Sequence, residues 1–197
     1  MIVAIVLAAG RSERLGRSKP LAPCRDTTFL GAVLSTVSAS LVDGVRVVLG
    51  HEADRVRTAM ALPDDVVTVN LDHESGMLSS VQCGIAALPA EAEAFLIWPV
   101  DHPLVRTETV DALVRELTRT RAAVVLPVHG KRRGHPVVFA ASLAAELMAA
   151  PVSRGARSVV RAHVDDRVEL RVDDDGVVTD IDTPEAYLKS FGRPLEP

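Results

Sequence analysis

Only two cysteines occur in the 197 residues, Cys24 and Cys83, far apart and with no C-x-x-C partner. A disulfide framework and a cysteine zinc knuckle are therefore not expected, and a reducing cytoplasm is the simplest setting. There is no excess of positive charge: 22 basic and 26 acidic residues give a formal net charge of −4. Such a balance provides no general attraction for nucleic acid or an anionic membrane, so any anion must be held by a local arrangement. A long hydrophobic run is missing too. The apolar stretch Ile2 to Ala9 is too short to span a bilayer, has no basic leader and is followed by charge, which marks it as a buried strand. No internal repeat, low-complexity segment or Ser-His-Asp arrangement stands out. Neither G-x-G-x-x-G nor a Walker A loop is present: five residues separate Gly10 from Gly16, and no lysine follows Gly16 directly. The usual dinucleotide fingerprint is therefore excluded.

What is present is a 48% hydrophobic chain of single-domain length, enough for a full core. Five short apolar runs read as strands: Ile2–Leu7, Val45–Leu49, Val66–Asn70, Ala94–Val100 and Ala122–Val128. Several are apolar on both faces, as in a parallel sheet covered on each side. Helical spacing fills Thr28–Ser40, His51–Ala61, Leu78–Leu88 and Thr107–Thr120, with Asp26, Ser75 and Thr107 as the expected caps. The β-α-β-α order predicts an α/β class, a three-layer α/β/α sandwich with a Rossmann-like, mostly parallel sheet. After Val128 a basic glycine loop runs into a strand, then a helix near Ser142–Ala150 and a late strand over Val168–Val172. A small antiparallel excursion beside the main sheet is expected in this final third. One domain is expected over residues 1–192, with 193–197 a mobile tail.

In open α/β sheets ligands sit at the carboxyl ends of the strands. The first such loop, "LAAGRSERLGRSK", places Gly10 where a positive φ and close approach of a ligand would be useful, beside the N–H groups of Ala9 to Ser12. Arg14 and Lys19 follow to meet phosphate charge. An arginine-rich surface loop would look similar. Asp101 ends the apolar strand of "FLIWPVDHPLV", a fitting place for one ligand of Mg²⁺ or, as easily, for a structural cap. Near the end, "DIDTPEAY" offers Asp180 and Asp182 before a helix start at which Thr183, Pro184 and Glu185 already suit the first turn. Gly76, Ser79 and Ser80 sit at a predicted helix start, where free N–H groups and hydroxyls meet anions or where an ordinary cap lies. Lys131, Arg132 and Arg133 precede Gly134, His135 and Pro136, and a charge run is as readily a solvated face. Trp98, Cys24 and Cys83 read as packing residues, and His51 as the opening of a helix.

The order L-A-A-G-x-S-x-R-x-G-x-x-K, carried by Leu7, Ala8, Ala9, Gly10, Ser12, Arg14, Gly16 and Lys19, resembles the signature of nucleotidyltransferases with the nucleotide-diphospho-sugar transferase fold. The segments D-x-P at Asp101, G-M-x-x-S-x-x-x-G from Gly76 to Gly84, R-G-H-P at Arg133–Pro136, G-A-R ending at Arg157 and D-I-D-T-P-E resemble the molybdenum cofactor cytidylyltransferase branch of the MobA-like NTP transferases. Where that branch often has an aspartate, this chain has Ala186. The resemblance implies transfer of CMP from CTP to the phosphate of molybdopterin, with release of pyrophosphate. It implies a nucleotide site of Leu7, Ala8, Ala9, Gly10, Arg11, Ser12, Lys19, Gly76, Ser79 and Ser80. Lys19, Arg14 and Asp101 would act on the phosphates, and Mg²⁺ or Mn²⁺ would sit on Asp101 and Asp182. The acceptor would meet Arg133, Gly134, His135, Pro136 and Arg157. His102 fills a variable position and is assigned no role. A recipient molybdoenzyme is an implied partner; nucleic acid and membrane are not. Transfer to a sugar 1-phosphate or another phosphorylated acceptor, and a non-catalytic pterin carrier, remain open alternatives, as does an oxidoreductase that has reused the fold.

Overall fold

The computed structural model describes residues 1–195; the last two residues of the expected tail lie outside the described part. The chain runs β1 (Ile2–Ala8), β2 (Pro23–Cys24), β3 (Thr27–Thr28), α1 (Phe29–Ser38), β4 (Gly44–Leu49), α2 (Ala53–Ala59), β5 (Val67–Val69), α3 (Met77–Ala86), β6 (Ala94–Pro99), α4 (Thr107–Thr120), β7 (Val124–His129), β8 (Arg132–Arg133), β9 (Val137–Ala140), α5 (Ala144–Ala149), α6 (Arg157–Ala162), β10 (Arg167–Arg171) and α7 (Pro184–Phe191). The main sheet has the order β10-β7-β9-β6-β1-β4-β5, with β8 added against β7. β5, β4, β1 and β6 are parallel neighbours, as the doubly apolar strands require. β10 is parallel to β7.

β9 corrects one expectation. The antiparallel strand is not an excursion beside the sheet; it is inserted within it, antiparallel to both β6 and β7. The core accordingly divides in two. On one face Phe29, Trp98, Leu113 and Tyr187 pack under α1, α4 and α7. On the other, Ile5, Phe95, Leu126 and Phe139 pack under α3, α5 and α6. Trp98 is fully enclosed, Cys24 is buried and Cys83 only half-buried.

Three expected caps differ. Thr28, not Asp26, caps α1 by accepting from Gly31 N at 3.1 Å. Gly76 begins α3 at φ 117°, a left-handed conformation that a serine would occupy only under strain. α4 begins after Arg106, whose N–H donates to the Oδ2 of Asp174, 68 residues along the chain. No described helix is long and apolar enough to cross a membrane.

Candidate functional site

The carboxyl ends of β1 and β6 are adjacent because the two strands pair in register, Leu7 opposite Pro99. The loop after β1 and the residues after β6 therefore open into the same space. Val100 N donates to Leu7 O and His51 N to Ala9 O, fastening this edge. Gly50 is small by necessity: an added Cβ would lie 2.8 Å from Ala9 O.

The first loop departs from expectation in one detail. Gly10 does not carry the left-handed turn; Ser12 and Gly16 do, at φ 57° and 76°. Gly10 instead faces open space, where no atom would meet an added Cβ. The N–H groups of Gly10, Arg11 and Ser12 donate to no backbone carbonyl among the described residues, so they remain available to an anion. Ser12 turns its hydroxyl inward to accept from Lys19 N at 3.0 Å, which fixes where the lysine starts.

These elements enclose a cavity of about 250 Å³. Leu7, Ala8, Ala9, Gly10, Ser12, Arg14, Lys19, Gly76, Ser80 and Asp101, drawn from three separate parts of the sequence, all line it. Sequence reasoning had not included His73, Met77, Pro20, Pro99 and Val100, which complete the wall. Arg11 and Ser79 are not among its lining residues. Arg11 is drawn away to an ion pair with Glu74. Ser79 is buried and spends its hydroxyl within the protein, donating toward Asp72 O and Gly76 O and accepting from Asn70 Nδ2. Asn70 also reaches Ser80 Oγ at 3.0 Å, so one buried amide positions both serines.

Two ion pairs stand at this edge. Lys19 Nζ lies 3.0 Å from Asp101 Oδ2, with both side chains largely buried, and Arg14 pairs with Asp182. Asp182 is not among the residues lining the cavity; it is tied to this edge by its pairing with Arg14 and by the backbone, where Ile181 N donates to Asp101 O at 2.8 Å although the two aspartates are 81 residues apart. A pair of carboxylates is an incomplete hard-oxygen set, which suits Mg²⁺ or Mn²⁺ sharing its remaining positions with phosphate oxygens and water. Among the described residues no three or more His, Cys, Asp or Glu side chains form a closed metal cage.

His102 is buried beside Asp101, its Nε2 4.0 Å from Oδ1 and its Nδ1 3.4 Å from Gly176 O. Burial holds its pKa below the ordinary histidine value, against the pull of Asp101. Its ring is 5.0 Å from that of His135, which burial, aided by His102, pushes down to about 4. Both rings are neutral at neutral pH. The His135–Pro136 bond is cis.

His135 belongs to a second cavity, of about 490 Å³, that shares Met77 with the first. Of the residues proposed for an acceptor, Arg133, Gly134, His135 and Arg157 line it. Pro136 is buried but not part of the lining. Gly134 earns its place by contact: a Cβ would lie 2.2 Å from Val177 O, and His135 N donates to that same oxygen at 2.8 Å. Arg154, which opens the same R-G-A-R segment as Arg157, also lines the cavity, whereas sequence reasoning missed Arg161 and Arg167. The four-residue spacing of Arg157 and Arg161, which puts both on one face of α6, was a readable signal.

Residues 4–168 match the family model of the MobA-like NTP transferase domain. Among curated proteins, the molybdenum cofactor cytidylyltransferase of Escherichia coli (strain K12) is 23% identical over 193 residues, which cover 98% of this chain and 96% of that one. The bifunctional protein GlmU of Xylella fastidiosa (strain M12) is 31% identical over 135 residues, 68% of this chain; the match spans only 29% of GlmU. Among solved structures, Rv0371c from Mycobacterium tuberculosis H37Rv superposes with a TM-score of 0.87 at 31% identity, covering 98% of both chains. A structure of Rv0371c in complex with manganese superposes at 0.77 with 28% identity, covering 95% of this chain and 96% of that one.

Proposed function

The chain belongs to the MobA-like NTP transferase family and is a nucleotidyltransferase; from that premise we propose that it transfers CMP from CTP to the phosphate of molybdopterin, forming a cytosine dinucleotide cofactor and releasing pyrophosphate. The observation that carries the reading is the pair of adjoining cavities. One is walled by the phosphate-type loop, the other is broad and arginine-rimmed, Met77 is common to both, and Asp101 of the first lies beside His102, whose ring faces His135 of the second. A donor nucleotide and a bulky phosphorylated acceptor each have a chamber.

In this reading the free N–H groups of Gly10 to Ser12 bind the triphosphate of the donor. Lys19 and Arg14 turn from their aspartates to the phosphates and offset the charge that develops as pyrophosphate leaves. Asp101 and Asp182 would hold a divalent cation, which supplies Lewis-acid polarisation of the phosphate when bound. The manganese bound by the neighbouring Rv0371c structure supports such a site here. A phosphate monoester is already ionised at neutral pH, so the protein needs no general base; alignment of two bound substrates is its main contribution. The two alanines before Gly10 and the full-length similarity to the E. coli cytidylyltransferase support CTP as the donor. The balanced charge and two unpaired cysteines support a cytoplasmic setting, with a molybdoenzyme as recipient of the product.

The test is to incubate the protein with each of the four nucleoside triphosphates, Mg²⁺ or Mn²⁺, and molybdopterin, and to follow pyrophosphate release and the dinucleotide product. Turnover with CTP above the other nucleotides is expected. Absence of turnover with all four would overturn molybdopterin as the acceptor, and turnover on a sugar 1-phosphate alone would replace it.

A further inference from the structure

An arginine stands on the apolar face of the sheet. β10 is parallel to β7 with Arg167 opposite Val124, Val124 is opposite Phe139 in β9, and Phe139 is opposite Phe95 in β6. These four residues form one row across the sheet, on the side covered by α3, α5 and α6. A guanidinium in a row with two stacked phenylalanines, whose rings are 5.6 Å apart, breaks the pattern by which that face is built.

Part of the guanidinium is accounted for. Nη1 donates to Val160 O at 3.2 Å and Nη2 to Glu169 Oε1 at 2.8 Å. Nε–H is not: it is fully enclosed, on a side chain only 7% exposed, and has no hydrogen-bond partner. A buried donor left unpaired is costly, on the order of 1–3 kcal/mol, and in native proteins it commonly marks a place that something else completes. Among the described residues the other enclosed side-chain polar atom without a partner is His135 Nδ1. Both atoms belong to residues lining the second cavity.

Their positions differ along the strands. His135 sits near the carboxyl edge, its ring against that of His102. Ile97 and Val137 pair one row lower, and the row of Arg167 lies two residues below Ile97, about 7 Å further from Asp101 at strand spacing. Between the two polar atoms the floor is Ile97, Val137, Leu126 and Phe139. The lining therefore runs along the strands from His135 to Arg167 with apolar residues between them.

We propose that Arg167 is a specificity-determining residue of the acceptor site: its guanidinium, which lines the chamber, shifts on binding so that the Nε–H now enclosed and unpaired donates to a carbonyl or carboxylate oxygen of a flat ring system lying on the Phe139 face, at the end remote from the reacting phosphate. This rests on the second cavity being the acceptor chamber of the transferase. The ligand class follows from the surroundings. An apolar floor one ring deep takes a planar body, the neighbouring Arg154, Arg157 and Arg161 favour an electron-rich or anionic one, and a rigid guanidinium edge demands an sp² oxygen. Glu169 is the tether, since it also holds Arg133 at 2.7 Å and so links the two ends of the rim.

The experiment compares the full-length protein with Arg167→Lys, which keeps the charge but not the Nε–H, and Arg167→Met, which keeps length and packing. Steady-state kinetics with CTP and molybdopterin are expected to show KM for molybdopterin raised about tenfold or more in both variants, with KM for CTP and the melting temperature of Arg167→Lys close to the parent values. An unchanged molybdopterin KM overturns the proposal, as does a rise in which CTP shares equally, because Arg167 then only holds the fold. Binding of pterin and of pterin-6-carboxylate, followed by their own fluorescence, separates the two readings. If the parent protein does not turn over molybdopterin but binds either pterin in an Arg167-dependent way, the molybdopterin reading falls and the role of Arg167 stands. If it binds neither pterin and turns nothing over, or binds them equally without Arg167, the role of Arg167 falls.

Discussion

At the scale of single residues, the site is organised by charge pairs that must be broken to be used. Asp101 is held by Lys19 and fixed from behind by Ile181 N, so its oxygens are already aimed at the edge of the nucleotide cavity. Asp101→Asn is expected to lower kcat by about 10²-fold or more while leaving the melting temperature nearly unchanged, because the substitution is isosteric and the backbone carbonyl that meets Ile181 stays. Activity within a few-fold of the parent would remove Asp101 from the reaction. Several of these residues were readable in advance because their chemistry is local: a glycine loop after an apolar strand, an aspartate at a strand end. Ser79 was not separable from Ser80 by sequence, and Arg11 was placed with the nucleotide-site residues by the resemblance. Ser79 is set apart by the carbonyls of Asp72 and Gly76 that take its hydroxyl, and Arg11 by its ion pair with Glu74.

At the scale of elements, α4 shows what local reading cannot supply. Its apolar stripe of Val110, Leu113, Val114 and Leu117 has helical spacing and its span was legible to the residue, but its cap comes from Asp174. That buried carboxylate accepts from Arg106 N at 3.0 Å, Thr109 Oγ1 at 2.6 Å and Gly176 N at 3.1 Å. Asp174→Ala would leave three donors unpaired in a closed space and is expected to cost about 2–4 kcal/mol of stability, measured as a lower urea midpoint at an unchanged m-value. Asp174→Asn should recover part of the loss. The same junction bears on the site, since the turn after Asp174 contributes Gly176 O to His102 and Val177 O to His135. The insertion of β9 escaped prediction for a related reason: a strand of Val137, Val138 and Phe139 is apolar wherever it lies, and its neighbours β6 and β7 are chosen by topology. Arg167 escaped because a charged residue at the start of a strand reads as a solvent contact.

At the scale of the whole molecule, the two neutral histidines couple stability to pH. Both have pKa values below the ordinary 6.5, burial being the largest cause, and that of His135 is down to about 4. Between those values the unfolded chain binds protons that the folded chain refuses. Stability from these groups is thus complete above about pH 6.5 and lost as the pH falls toward 4. The melting temperature is expected to decline over that interval, and more shallowly in His135→Asn; an identical slope would assign the decline elsewhere. The sheet order has another consequence, in time. β5, β4, β1 and β6 complete their mutual pairing with the chain up to Pro99, whereas β7 reaches them only through β9. As the polypeptide is synthesised, Val124–His129 emerges with only the two-residue β8 to join and reaches the first half of the sheet once Val137–Ala140 has followed it, and β10 then adds to β7. The strand in the middle of the second half is the last joint to close between the two halves, which makes the acceptor chamber above it the late-maturing part of a protein whose nucleotide loop is formed first.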